Sequence, residues 1–267
     1  MAIPIRSPRE VDAIGVAADA LEAILAEVRA ACVPGVTGIE LDALAARLIE
    51  DAGAHPLFKG VVGRAGVPPF PGVSCICINE QVVHGVPSDR PIREGDLITI
   101  DIGLTLHGWC ADMAASVMVG ACSVQTARLA HATAKAAELA TGLIAPGVRW
   151  SRVARAMREI ASEAGLGVVP GYIGHGIGRS LHEPPRLPLL SVTGGDLEGT
   201  DDDLVFRPGM VVSVEPTFAL GDPRVRTLDD GWTVVTAVGA PACHEERILA
   251  VTAEGCRVLG AGTDVGA

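Results

Sequence analysis

The chain has 267 residues, close to the upper limit for a single hydrophobic core, and its 49% hydrophobic and 3% aromatic content is that of a globular α/β or α+β protein, not a disordered one. A formal net charge of −11 and a pI near 5.0 exclude nucleic acid and an anionic membrane as the main partner. Seven cysteines, an odd number with no zinc-finger spacing, point to a reduced cytoplasmic compartment.

In chain order, Pro4 and Pro8 interrupt the first ten residues, and no apolar signal-peptide core follows. Ala13 to Val33 reads as an amphipathic helix, because Asp19, Glu22, Glu27 and Arg29 make it too charged for a membrane span. Val33-Pro34-Gly35-Val36 ends it, and a second helix is predicted over Ile39 to Ala52, stopping at Gly53. Arg93-Glu-Gly-Asp-Leu-Ile-Thr-Ile-Asp101 then reads as a turn and a strand ending in an acid. Thr99 and Asp101 share one strand face, and Ile98, Ile100 and Ile102 share the other. Gly103 to Gly108 suits a hairpin that returns Asp112 beside Asp101.

The same order then repeats. Ala145-Pro146-Gly147-Val148 ends another helical stretch 112 residues after the first, and a helix predicted over Ser151 to Ala164 stops at Gly165. Arg207-Pro-Gly-Met-Val-Val-Ser-Val-Glu215 aligns with the earlier acid-terminated strand at a spacing of 114, with Ser213 and Glu215 opposing Val212 and Val214. Two matches in one order predict a duplicated α-α-β unit with an approximate two-fold axis. The expected organisation is one domain over 1–267, in halves of roughly 10–120 and 121–252. Ser191 to Asp203, rich in glycine and acids, reads as the loosest segment, a surface loop.

Asp101 and Glu215 lie in apolar sequence, where an ionised carboxylate is costly to bury without a cation. One such acid alone more readily caps a strand or pairs with an arginine. Asp112, Glu215 and Glu246 add to Asp101, and four carboxylates with one imidazole, His175, match two divalent cations and leave room for hydroxide. Oxygen-dominated ligands suit Mn, Fe(II) or Co, with Zn also compatible. His175 lies in Gly174-His-Gly-Ile-Gly178, which matches neither G-x-G-x-x-G nor the P-loop. His84 and His182 alone read as ordinary loop or core histidines.

Ile78-Asn-Glu-Gln-Val-Val-His-Gly-Val-Pro87, Gly174-His-Gly-Ile-Gly-Arg179, His182-Glu-Pro184 and Asp230-Gly-Trp-Thr-Val234 resemble methionine aminopeptidase, over roughly Ile3 to Thr252. With no zinc-binding extension before the catalytic region and no long helical insert between His182 and Glu215, the chain is similar to the short bacterial type I enzymes. The resemblance implies the pita-bread α/β (α+β) fold, two pseudo-symmetric α-α-β halves around a central antiparallel sheet. It implies two metal ions on Asp101, Asp112, His175, Glu215 and Glu246, with Glu215 as proton acceptor, His182 at the scissile carbonyl and His84 at the peptide nitrogen or a catalytic proton. Phe70, Cys75 and Trp232 match positions lining the methionine side-chain pocket, ordinary core packing being the alternative. The implied substrates are amino-termini of nascent chains with a small second residue, met at the ribosome by a cytoplasmic monomer that contacts neither nucleic acid nor membrane.

Three positions depart from the family: Leu181 where an aromatic is common, Ala111 where glycine is common, and His244 where glutamine is common. They are expected to alter pocket shape, not the ligand set. A prolidase or aminopeptidase P would share the ligands but normally carries a large extra amino-terminal domain. A non-catalytic protein of this fold would have lost ligands, and an acidic scaffold would bind no metal.

Overall fold

Two helical hairpins form where the sequence offers apolar faces closed by local caps. The structure, a computed structural model, describes residues 2–261. Residue 1 and residues 262–267 of the expected 1–267 domain lie outside the described residues. The helices are α1 (Pro8–Ala30), α2 (Gly38–Asp51), α3 (Val124–Leu143) and α4 (Trp150–Glu163). Helix α1 starts earlier than its apolar pattern suggested. Ser7 accepts from the Glu10 amide while the Glu10 carboxylate accepts from the Ser7 amide, a reciprocal cap, and Pro8 takes the first helical position, where its missing N–H costs nothing. Thr37 and Glu40 cap α2 in the same way. Helix α4 has no side-chain cap from its own N-cap residue, Arg149; Asp203 Oδ1 instead accepts from the Ser151 amide at 3.0 Å.

The sheets are antiparallel. In the first, Leu97–Leu106 pairs with Trp109–Met118 along one edge and with Ser74–Ile78 along the other. The strand does not end at Asp101; it runs on to Leu106, and the hairpin closes at His107-Gly108, both at positive φ. The glycine at 103 is therefore not part of a turn but lies within the strand, directly opposite Asp112. A Cβ there would meet the Phe58 ring at 2.7 Å, so the missing side chain is what lets Asp112 and Phe58 approach. In the second sheet the order is Cys256–Leu259, Arg247–Val251, Val211–Val214, Gly174–Gly176, Glu183–Leu187. The Glu246 amide donates to the Ala114 carbonyl at 2.9 Å, joining the two sheets where both carry acids.

The repeat reappears in the hydrogen bonding. Gly35 N donates to Ile92 O and Ile92 N to Val36 O; 112 to 114 residues later, Gly147 N donates to Phe206 O and Phe206 N to Val148 O. Gly53 and Gly165 end α2 and α4 at φ of 66° and 65°. Each helix pair packs on its own sheet: Ile98, Ile100 and Ile102 face α1 and α2, and Val212 and Val214 share a core with α3 and α4. The opposite strand faces, carrying the polar side chains, turn toward each other. Among the described residues, no helix is long and apolar enough to cross a membrane.

Candidate metal centre

Alternation on the strands delivers the acids. Asp101 projects from mid-strand, and Asp112 comes from the returning arm of the hairpin. Glu215 follows Val211–Val214, Glu246 precedes Arg247–Val251, and His175 is the middle of Gly174–Gly176. A Cβ on either flanking glycine would collide with backbone, Ser213 O at Gly174 and Pro184 O at Gly176, so glycine alone lets the neighbouring strands close on the histidine.

All five predicted ligand residues converge. His175 Nε2 lies 3.9 Å from Asp112 Oδ2, 4.0 Å from Glu215 Oε1 and 3.8 Å from Glu246 Oε1. Ligand atoms of Asp101, Asp112 and Glu246 also lie within 4.8 Å of one another, as do those of His175, Glu215 and Glu246. These histidine contacts are not ion pairs, because burial drives the His175 pKa down to about 4 and leaves the ring neutral at pH 7. Its Nδ1 is 3.0 Å from the Gly176 carbonyl, which can only accept, so Nδ1 holds the proton and the Nε2 lone pair faces the carboxylates. That is the tautomer a metal requires.

The carboxylates are held against their own repulsion. Burial, followed by the charges of neighbouring acids, raises Asp112 and Glu215 well above the usual carboxylate range, and raises Glu246 to about 8. Ser213 Oγ donates to Glu246, which partly offsets this. Asp101 Oδ1 and Asp112 Oδ1 are buried with no hydrogen-bond partner. Orphaned carboxylate oxygens and a correctly oriented imidazole, with too few donors among them, fit a pair of divalent cations.

Beside the acids lies a cavity of about 150 Å³ lined by Phe58, Val61, Phe70, Cys75, Leu181 and Trp232, with His84 and His182 at its polar end. The Trp232 ring meets Phe70 edge-on at 5.3 Å and its Nε1 donates to Pro68 O at 2.8 Å, fixing one wall. His84 sits at φ 55°, a turn that Gly85 permits by packing against Ile76 O. His182 lies edge-on to His175, ring centroids 4.5 Å apart. A wider groove shares His84, His175, His182 and Glu215 with this cavity and opens toward Tyr172, Arg186 and Asp202.

Three features escaped sequence reasoning. His244 is buried and reaches Asp101, not the pocket: its Nε2 is 3.7 Å from Asp101 Oδ2, and its Nδ1 donates to Val82 O at 3.0 Å. No local signal showed this, because His244 ends Ala242–His244, paired with Thr217–Leu220, while Glu246 pairs separately with Ala114. Tyr172 packs edge-on to His84 at 5.9 Å. The Ser191 to Asp203 segment is the expected surface loop, but it is tethered: Leu197 is fully buried, and Asp196 and Glu198 pair with Arg155 of α4. Of the other departures, Leu181 does line the pocket, whereas Ala111 lies in the apolar core.

The profile of metallopeptidase family M24 matches residues 12–253. A methionine aminopeptidase from Treponema pallidum is 38% identical, covering 98% of both chains. Methionine aminopeptidase 1 of Mycobacterium tuberculosis is 37% identical, over 97% of this chain and 96% of its own. The crystal structure of a methionine aminopeptidase from Thermotoga maritima superposes with a TM-score of 0.88 at 32% identity, covering 97% of this chain and 99% of its own.

Proposed function

The chain belongs to metallopeptidase family M24, within its methionine aminopeptidases, and from that membership we propose that it hydrolyses the first peptide bond of chains beginning with methionine. The observation that carries this reading is the convergence of four carboxylates and a neutral, correctly turned imidazole beside an apolar cavity of side-chain size.

Asp101, Asp112, His175, Glu215 and Glu246 would hold two divalent ions, Mn, Fe(II) or Co, with Zn also compatible with the donors. The chemistry supplied there would be a water whose pKa falls from 15.7 toward ~7, giving hydroxide at neutral pH. Glu215, at the junction of both cavities, accepts the proton of the attacking water. His182 hydrogen-bonds the scissile carbonyl as charge develops on its oxygen, and His84 interacts with the peptide nitrogen. Phe70, Cys75 and Trp232, with Phe58, Val61 and Leu181, receive the methionine side chain, while the residue after the scissile bond leaves through the groove. Membership of the methionine aminopeptidases implies a preference for a small second residue. The substrates are amino-termini of nascent polypeptides emerging from the ribosome, and the enzyme works as a cytoplasmic monomer. Its two halves, roughly 10–120 and 121–252, act as one catalytic domain, since each contributes ligands to one centre.

The test is release of free amino acid from Met-Ala-Ser, Leu-Ala-Ser and Ala-Pro-Pro by metal-stripped protein with each metal restored. Metal-dependent cleavage of Met-Ala-Ser alone is expected. Cleavage of Ala-Pro-Pro in preference would replace this reading with a proline-specific peptidase.

A further inference from the structure

His182 presents a problem of orientation. Among the described residues its ring makes no hydrogen bond, and it is exposed on the short turn between Gly174–Gly176 and Glu183–Leu187. A side chain that must meet a developing oxyanion needs a fixed direction. Apart from the edge-on contact with His175, that direction is left to the backbone of the turn.

The turn is anchored from three sides. Glu183 Oε1 accepts from the amides of Arg179 and Ser180, at 2.8 and 3.1 Å, closing the turn on itself. Glu183 Oε2 accepts from the Arg6 guanidinium, 177 residues away, in a pair whose side chains are only 13% and 12% exposed. Arg6 is itself tied down, its amide donating at 2.7 Å to Gly209 O in the turn that opens Val211–Val214, the strand leading to Glu215. On the far side, the Arg179 guanidinium lies 3.7 Å from the centre of the Trp109 ring and donates to Gly108 O at 2.9 Å, while Gly178 O accepts from the Cys110 amide at 2.8 Å. Both latter contacts fix the turn to the hairpin that carries Asp112.

We propose that the Arg6–Glu183 ion pair, braced by Arg179 on Trp109, is a positioning device that aims His182 at the scissile carbonyl. This rests on the role given to His182 above. Arg6 is a positioning residue, since it lines neither the apolar cavity nor the groove. A largely buried ion pair links the segment before α1, the strand leading to Glu215 and the turn carrying His182, so the histidine keeps register with the metal centre.

The test is kcat and KM of the metal-loaded enzyme on Met-Ala-Ser for wild type, Arg6→Met, Arg6→Lys, His182→Ala and the Arg6→Met/His182→Ala double variant, with melting temperature and metal stoichiometry measured alongside. Arg6→Met is expected to lower kcat about tenfold to a hundredfold with KM changed less than about threefold, metal stoichiometry unchanged, and Arg6→Lys restoring most of the loss. In the His182→Ala background the same substitution should change kcat by less than about twofold, because there is no histidine left to aim. Equal fold losses in both backgrounds would overturn the positioning role while leaving His182 as an active-site residue. Wild-type kcat in His182→Ala would overturn the role of His182 and the proposal with it. Should Arg6→Met lose its fold, Glu183→Gln breaks the ion pair while keeping an acceptor for the two amides, and the same non-additivity is expected of it.

Discussion

Two sets of buried carboxylates stand within one protein and behave in opposite ways. Asp96 accepts from Asn79 Nδ2, the Arg93 amide and both terminal nitrogens of Arg90; burial pushes its pKa up, but these donors outweigh it and hold the carboxyl below its usual range. Asp203 is likewise held down against burial by the Ser151 and Gly199 amides and Arg149. Asp112, Glu215 and Glu246 are buried as deeply or nearly so, yet their pKa values rise, because their neighbours are one another. A carboxylate surrounded by donors belongs to the scaffold. Carboxylates surrounded by carboxylates, with little more than Ser213 and His244 to offset them, call for a cation from solution.

The contrast is broken most severely at Glu215. Glu215→Gln is expected to lower methionine release by more than about a thousandfold, through loss of a proton acceptor and of a metal donor. Thermal melting without metal should nonetheless find the variant as stable as wild type or more so, since one member of a repelling buried cluster has been neutralised. The scaffold acids should respond in reverse. Asp96→Ala leaves Asn79, Arg90 and the Arg93 amide without their acceptor and is expected to cost about 2 to 4 kcal/mol in urea unfolding, with kcat of the folded fraction changed less than about twofold.

The pH dependence of the metal-free protein sharpens the same comparison. Groups with raised folded-state pKa contribute stability that is complete below the unfolded value, near 4.5 for Glu246, and is lost as pH rises toward about 8. His175, lowered to about 4, works oppositely, but only below its unfolded value of 6.5. Between pH 6.5 and 8 the acids therefore govern, and the melting temperature of metal-free protein should fall across that window while metal-loaded protein stays level. A rise over the window would contradict the repulsion described here. The smallest effect is expected at the pocket, where Leu181→Phe should change KM for methionine peptides by about threefold to tenfold and kcat less, because it touches side-chain packing and not the reacting groups.

Much of this was legible in the sequence because it rests on period and spacing. The alternation around Asp101 and Glu215, the 112- to 114-residue echo and the glycines beside His175 are local signals, and each corresponds to an observed strand face, hydrogen-bond pair or close approach. The missed features depend on contacts between distant segments. Asp101 looked like the end of a strand because Gly103 resembled a turn residue, whereas that glycine makes room for Phe58. The polar composition of 191–203 marks the surface loop that is observed but not its tethers, Asp203 as the missing cap of α4 and Leu197 in the core beneath it. His244 looked like a pocket residue, and only the pairing of Ala242–His244 with Thr217–Leu220 turns it toward Asp101.

The most direct measurement is calorimetric titration of metal-stripped protein with Mn or Co, comparing wild type with Glu246→Gln and Asp96→Ala. Two equivalents bound by wild type and by Asp96→Ala, with weakened or lost binding in Glu246→Gln, is the expected result. Equal binding by wild type and Glu246→Gln, or none by either, would contradict the assignment of the repelling acids as the metal centre.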